Sequence, residues 1–228
     1  MTLLTPGFDR TSGTYAEHGV PAPVVAEFLR DNWIVCEKND LNSLLFLLTP
    51  GVEASKAGTL LSALVRFKEL HEANAPLAEV QTEFTARHSP RYGSMHLRDL
   101  CGEMHAFYRE HDTSGLQRRQ FRPEHQPEMV MSPRKAVQLM VRNEVEFLPI
   151  DRVAGRIAAN LMFAYPPGIA TVVPGERLGG RAQPMLDYLL VFERAANRFP
   201  GFDNEVQGVY CRVDRNGSIR LFTFVLKE

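Results

Sequence analysis

The chain reads as a mixed α/β protein of the α+β kind in two domains, and three observations predict it. Short apolar runs bounded by turn residues mark strands. Longer segments with apolar residues at helical spacing mark amphipathic helices, and the pattern breaks at Asn74-Ala75-Pro76. The break puts a boundary near residue 75, dividing the chain into 1–75 and 76–228. Of 228 residues, 44% are hydrophobic and 23% charged, proportions that sustain globular cores and exclude disordered, collagenous and small disulfide-scaffold classes. Lys and Arg number 26 against 27 Asp and Glu, so no overall field would hold the chain on DNA or an anionic membrane, and neither is an expected partner. Cys36, Cys101 and Cys211 are odd in number, far apart and outside any C-x-x-C pair, which points to a reduced, cytoplasmic setting.

Met1 to Gly7 has neither the basic start nor the apolar stretch of a signal peptide, and reads as a strand entering a turn. Pro21 suits a first helical turn, and Val24, Val25, Phe28 and Leu29 follow at helical spacing up to about Trp33. Ile34 to Glu37 and Ser43 to Leu48 are strand-like, the second apolar on both faces, and both are expected to be central strands. A long helix is predicted from Glu53 to about Ala73, with Leu60, Leu61, Leu64, Val65 and Phe67 on the side that should cover the sheet. Beyond the break, helices are predicted at 95–111, on the stripe Leu97, Leu100, Met104 and Phe107, and at 133–142, where Ser132-Pro133 gives an N-cap and a proline at the first helical position. Strands are predicted at Ile157 to Phe163, Ala170 to Val173, Gln207 to Val213 and Ser218 to Leu226, with a helix from about Pro184 to Arg198. Asp214-Arg215-Asn216-Gly217 is a hairpin turn, because Asn-Gly accepts the positive φ it needs.

Chemistry-bearing patterns are few. Cys101 and His105 lie one helical turn apart, but two ligands are half of a zinc site and no H-E-x-x-H occurs, so ordinary helix packing is the expectation. No third group orients a Cys/His nucleophile. Pro174 to Gly180 is glycine-rich without the spacing of a phosphate-binding loop and reads as a turn. Arg118-Arg119-Gln120-Phe121-Arg122 is followed by Glu124 and Glu128 and reads as a solvated helix face. Tyr165-Pro166-Pro167-Gly168 reads as a rigid turn. Glu37 differs: a carboxylate at the carboxyl end of an apolar strand sits where open α/β sheets hold ligands, and it could pair with a cationic group of a substrate. A surface pair with Lys38 is the alternative.

The string His18-Gly19-Val20-Pro21-Ala22, then Ile34-Val35-Cys36-Glu37-Lys38-Asn39-Asp40-Leu41-Asn42-Ser43-Leu44-Leu45-Phe46-Leu47-Leu48-Thr49-Pro50, resembles the bacterial pyridoxal-phosphate (PLP) ornithine/lysine/arginine decarboxylases. The resemblance continues in order through Leu100 to Tyr108, Gly155 to Asn160, Tyr165 to Gly168, Pro174-Gly175-Glu176, Phe199-Pro200-Gly201-Phe202 and Gln207-Gly208-Val209-Tyr210.

The resemblance implies a piece of such an enzyme, with 1–75 as the end of the aminotransferase-like small domain and 76–228 as the family's C-terminal domain. PLP is the implied cofactor, held in the family by a lysine after Ser-x-His. The five lysines of this chain, Lys38, Lys56, Lys68, Lys135 and Lys227, never follow a histidine, so the chain alone should neither hold PLP covalently nor decarboxylate. The implied partners are a basic amino acid substrate, the large PLP domain of the same parent, and further copies in a homodimer or larger homo-oligomer. Glu37 matches the family glutamate that meets the distal ammonium of the substrate. The Glu-Lys-x-Asp-Leu-Asn-Ser form is closest to ornithine decarboxylases, so ornithine is the expected substrate, with lysine second and arginine third. The alternatives are a free-standing, non-catalytic module that binds a full-length decarboxylase, and a polyamine sensor built on Glu37.

Overall fold

The computed structural model describes residues 1–164, 168–202 and 206–228. The chain forms two compact units, Met1–Glu110 with Phe199–Asp203, and His111–Arg198 with Asn204–Glu228. The pattern break at Asn74-Ala75-Pro76 is a turn between two helices of the first unit.

In the first unit the chain runs β1 (Thr2–Leu4), β2 (Phe8–Asp9), β3 (Thr14–Tyr15), α1 (Ala22–Asp31), β4 (Lys38–Asn39), β5 (Ser43–Leu45), α2 (Ala54–Glu72), α3 (Leu77–Val80), α4 (Thr82–Arg87), α5 (Ser89–Tyr92) and α6 (Leu97–Glu110). Helix α1 begins as expected: Pro21 is extended just before it and Val24, Val25, Phe28 and Leu29 are buried. It stops at Asn32, whose amide donates to the Phe28 carbonyl at 2.8 Å, and Trp33 follows at φ 60° while the Ile34 N–H returns to Leu29. That is a left-handed helix stop built without glycine.

Strands β1, β5 and β4 form an antiparallel sheet in that order, with Leu3 opposite Leu44 and Lys38 opposite Leu45. The predicted strand at 34–37 is corrected. Ile34 to Glu37 forms no strand, the strand itself is Lys38–Asn39, and it lies at the sheet edge. Ser43–Leu45 is central, but Leu47 and Leu48 beyond it are exposed. Helix α2 also departs from expectation. Its buried residues are Ala63 and Phe67, the Phe67 ring meets Phe28 at 5.3 Å, and α2 lies against α1 and α6. A three-residue central strand is too short a platform for a helix of 19 residues. Helix α6 buries Leu97, Leu100, Met104 and Phe107, the predicted stripe. The string Phe199 to Phe202 closes this unit: the Tyr92 hydroxyl donates to the Pro200 carbonyl at 3.0 Å, and Phe202 meets Phe84 at 4.6 Å.

The second unit contains α7 (Thr113–Arg119), β6 (Glu128–Met129), α8 (Pro133–Val141), β7 (Val145–Pro149), β8 (Phe163–Ala164), β9 (Glu176–Arg177), α9 (Gln183–Arg198), β10 (Val206–Gln207), β11 (Tyr210–Val213) and β12 (Ile219–Leu226). The Ser132 hydroxyl caps α8 by accepting from the Lys135 N–H, and the Asp214 turn joins β11 to β12 with Gly217 at φ 81°. Strands β11, β12 and β7 form an antiparallel sheet in that order. Leu221 and Val225 of β12 join Leu186 and Leu189 of α9 in the core, while Phe222 stacks on Phe147 of β7 and Phe224 meets it at a tilt. Strand β7 lies outside the sequence expectations, since its Val145-Glu146-Phe147 alternation is only three residues long before Leu148 breaks it and Pro149 ends it. The strands predicted at Ile157 to Phe163 and Ala170 to Val173 are corrected to isolated bridges at Ile157, Ala158, Met162 and Val172 plus the short β8, and Gln207 to Val213 is split by a turn at Gly208. Residues Tyr165 to Pro167 of the predicted rigid turn lie outside the described residues. Among the described residues, no helix is long and apolar enough to cross a membrane.

Candidate functional site

Glu37 lies just before the edge strand β4 and is solvent-exposed. Its expected place at the carboxyl end of a strand is therefore corrected, because it precedes a strand instead of ending one. Its backbone N–H donates to the Leu45 carbonyl at 2.8 Å, which fixes its main chain against β5. The turn that follows is tied at every residue. Asp40 Oδ1 accepts from the Asn42 N–H at 2.7 Å and from the Ser43 N–H at 2.6 Å, while the Asp40 N–H donates to the Ser43 carbonyl at 3.0 Å. Leu41 is buried and its carbonyl accepts the Ala22 N–H at the start of α1. Asn42 is buried, donates to the Tyr15 hydroxyl at 3.0 Å, and offers its carbonyl to the Thr5 N–H and hydroxyl. A short strand, a side-chain-closed turn and a buried amide thus hold an exposed carboxylate on a rigid stem. Sequence reading singles out Glu37 and misses Asp40, Asn42 and Tyr15. The Asp-x-Asn-Ser spacing is the signal available for the turn.

The other candidates are placed differently. Cys101 is fully buried in α6 and burial pushes its thiol up to about 12, so no thiolate forms near neutral pH. The buried His105 ring lies 2.9 Å from the Ala16 carbonyl through Nε2. Iodoacetamide at pH 8 is expected to label the exposed Cys211 and spare Cys101, read by mass spectrometry of the folded chain. Labelling of Cys101 would refute its burial. Because the unfolded thiol ionises near 9 and the folded one only near 12, Cys101 also makes stability fall as pH rises through that window.

The glycine-rich segment is a closed turn. The Glu176 carboxylate accepts the Val173 N–H at 2.7 Å, and burial raises its pKa from the usual range. In the basic run, Arg119 pairs with Asp112 at 2.8 Å and Arg122 with Glu124 at 3.7 Å.

A PLP-type cofactor does not fit the residues present. Lys56 Nζ donates to the Gly51 carbonyl, Lys68 pairs with Glu72, and Lys227 Nζ donates to the Asn143 carbonyl. The larger cleft of the first unit, about 570 Å³, is lined by arginines and carboxylates around Phe28 and Trp33, and a smaller one of about 100 Å³ by Pro23, Glu27, Asn39 and Phe202 among others. No lysine lines either of these two clefts.

Comparison with known proteins accounts for the whole chain. The family model described as Orn/Lys/Arg decarboxylase, C-terminal domain, matches residues 114–227, and that described as Orn/Lys/Arg decarboxylase, major domain, matches residues 1–56. The inducible ornithine decarboxylase of Escherichia coli K12 is 44% identical over 227 residues, covering 100% of this chain and 30% of that protein. A lysine decarboxylase of Pseudomonas aeruginosa is 41% identical over 212 residues, covering 92% of this chain and 27% of that protein. The solved structure of lysine decarboxylase A from Pseudomonas aeruginosa superposes with a TM-score of 0.90 at 38% identity, over 99% of this chain and 30% of the other. The chain thus spans about 30% of the length of the relatives it matches. By the match to its C-terminal domain across residues 114–227, and by agreement with relatives over its full length, the chain belongs to the Orn/Lys/Arg decarboxylase family.

Proposed function

We propose that this chain is the C-terminal part of a cytoplasmic PLP-dependent decarboxylase that converts ornithine to putrescine and CO2. Residues 1–75 close the aminotransferase-like small domain and residues 76–228 form the C-terminal domain. The observation that carries this reading is the full-length agreement with decarboxylases, 44% identity over 227 residues with a relative named as an inducible ornithine decarboxylase. Ornithine is preferred over lysine because the Glu37-Lys38-Asn39-Asp40-Leu41-Asn42-Ser43 segment has the ornithine-type form, and arginine ranks last because an exposed carboxylate suits a compact primary ammonium better than a planar guanidinium. Glu37 is the substrate-binding residue of this chain, and PLP, bound by the remainder of the parent, supplies the electron sink for decarboxylation.

The parent's remaining domain has a place to pack. Trp33 and Val35 are 95% and 78% exposed, Leu47 and Leu48 are exposed as well, and all four fall within residues 1–56, the stretch that matches the major domain. Apolar surface of that kind is costly in water and marks an interface. The parent acts as a homodimer or larger homo-oligomer.

Two measurements test the reading. In the full-length enzyme, kcat/KM for ornithine is expected to exceed that for lysine, and that for arginine to be lowest; a preference for arginine would overturn the substrate assignment. The isolated chain mixed with PLP is expected to show no lysine-adduct absorbance band and to release no CO2 from ornithine. Either signal would overturn its dependence on a missing domain.

A further inference from the structure

We propose that Asp40 is a positioning residue for substrate selection: its carboxylate, by closing the β4–β5 turn, sets where Glu37 stands. The inference rests on the reading of Glu37 as the group that meets the distal ammonium, and goes beyond it to what makes that contact selective.

Strand β4 is two residues long and lies at the edge of its sheet, so its ladder alone holds register weakly. The register that places Lys38 opposite Leu45 and Asn39 opposite Leu44 is fixed from the turn end. There, one oxygen of Asp40 gathers two successive backbone N–H groups, at 2.7 and 2.6 Å, and the Asp40 N–H closes the turn on Ser43 at 3.0 Å. The far side of the turn is immobile for independent reasons. Leu41 is buried and bonded to the first turn of α1, and Asn42 is held by Thr5 and Tyr15. Asp40 is therefore the connection between a fixed anchor and a light two-residue strand that follows Glu37, whose other end is held by the single Glu37 N–H bond to the Leu45 carbonyl. Removing its carboxylate leaves the Asn42 and Ser43 N–H groups without that acceptor and frees β4 to shift relative to β5.

A shift of β4 carries Glu37 with it. Ornithine and lysine differ by one methylene, and a carboxylate on a fixed stem tells them apart by reach, whereas one on a loose stem follows either ammonium. Loss of Asp40 is thus expected to weaken ornithine binding and to erode discrimination, while the chemical step, carried by groups elsewhere in the parent, is little affected.

The test uses the full-length enzyme with Asp40→Ala, Asp40→Asn and Glu37→Gln, measured with ornithine and with lysine. Asp40→Ala is expected to raise KM for ornithine about 10-fold with kcat within about 2-fold, and to lower the ornithine-over-lysine ratio of kcat/KM by about 5-fold. Asp40→Asn keeps the accepting Oδ1 and is expected to restore both values to within about 2-fold of the parent. If the alanine variant is insoluble, Asp40→Ser, whose hydroxyl accepts one of the two bonds, takes its place with an intermediate KM expected.

If Glu37→Gln raises KM while Asp40→Ala or its serine substitute leaves both KM and the ratio unchanged, the positioning role is refuted and Glu37 keeps its assignment. If Glu37→Gln leaves KM unchanged, the reading of Glu37 falls and this inference falls with it. If Asp40→Ala lowers kcat and KM follows neither substrate selectively, or if asparagine fails to rescue, Asp40 serves folding alone.

Discussion

Replacing Gly208 by alanine is expected to destabilise the second unit by more than about 4 kcal/mol, a large folding effect for a single added methyl group. Gly208 has φ 80°, a region that costs a residue with a side chain roughly 1–2 kcal/mol by itself. A Cβ there would run into the Leu161 carbonyl oxygen and stand 2.8 Å from Asn160 Nδ2, so backbone would have to move. What it would move is a buried polar knot. Asn160 Nδ2 donates to the Gly208 carbonyl at 2.7 Å, and the fully buried Thr223 hydroxyl lies 2.8 Å from the same carbonyl and 3.1 Å from Asn160 Oδ1. Breaking it would leave buried polar groups unsatisfied, at about 1–3 kcal/mol each. The measurement is the urea unfolding of the chain, with Gly102→Ala as control. Gly102 lies inside α6 with nothing within 4 Å of a built Cβ, so alanine there is expected to stabilise by about 1 kcal/mol. A Gly208→Ala midpoint no lower than that of the parent would show that the turn can be rebuilt.

The same knot explains where sequence reading works and where it stops. Helices α1, α6 and α9 are legible because their buried residues recur with the helical period, and α8 because its start is signalled; Ser132-Pro133 supplies both a cap and a first-turn proline, and the structure uses both. Strands are less legible because several pairings here are two residues long and are set by contacts distant in sequence. Ile34 to Glu37 has the composition of a strand, yet the left-handed residue Trp33 redirects the chain after α1 and only Lys38–Asn39 pairs with β5. Ile157 to Phe163 is likewise held by bridges to three different segments, a pattern with no period to detect. The two strings Gly155 to Asn160 and Gln207 to Tyr210 stand out in the sequence through strand-like composition and family resemblance, and neither signal joins one to the other. Asn160 and Gly208 lie 48 residues apart, and their shared hydrogen bond has no local signature. For the candidate site, Glu37 stands out as a residue type at a strand boundary, whereas Asp40, Asn42 and Tyr15 act by fixing its stem. A turn-forming Asp and a buried Asn look like ordinary loop chemistry until their partners are placed.

In the full-length enzyme, Glu37→Gln is expected to raise KM for ornithine by roughly 10- to 100-fold, because a hydrogen bond to a charged partner contributes about 1.5–3 kcal/mol and about 1.4 kcal/mol is tenfold. The direction follows from charge. Gln keeps the shape and an accepting oxygen but removes the negative charge that would attract the distal ammonium, so binding weakens while the geometry of the stem is retained. Folding should not respond. The side chain is exposed and forms no hydrogen bond or ion pair among the described residues, so the unfolding free energy is expected to stay within about 0.5 kcal/mol of the parent. A neutral analogue with the same carbon chain and no distal amine supplies the decisive comparison. Its KM is expected to be already high with the parent and to change little on Glu37→Gln, since the analogue has no ammonium for the carboxylate to attract. An equal rise in KM for both compounds would mean that the carboxylate organises the pocket without touching the amine. Unchanged KM for ornithine would remove Glu37 from the site altogether, leaving family membership untouched and placing specificity on residues outside this chain.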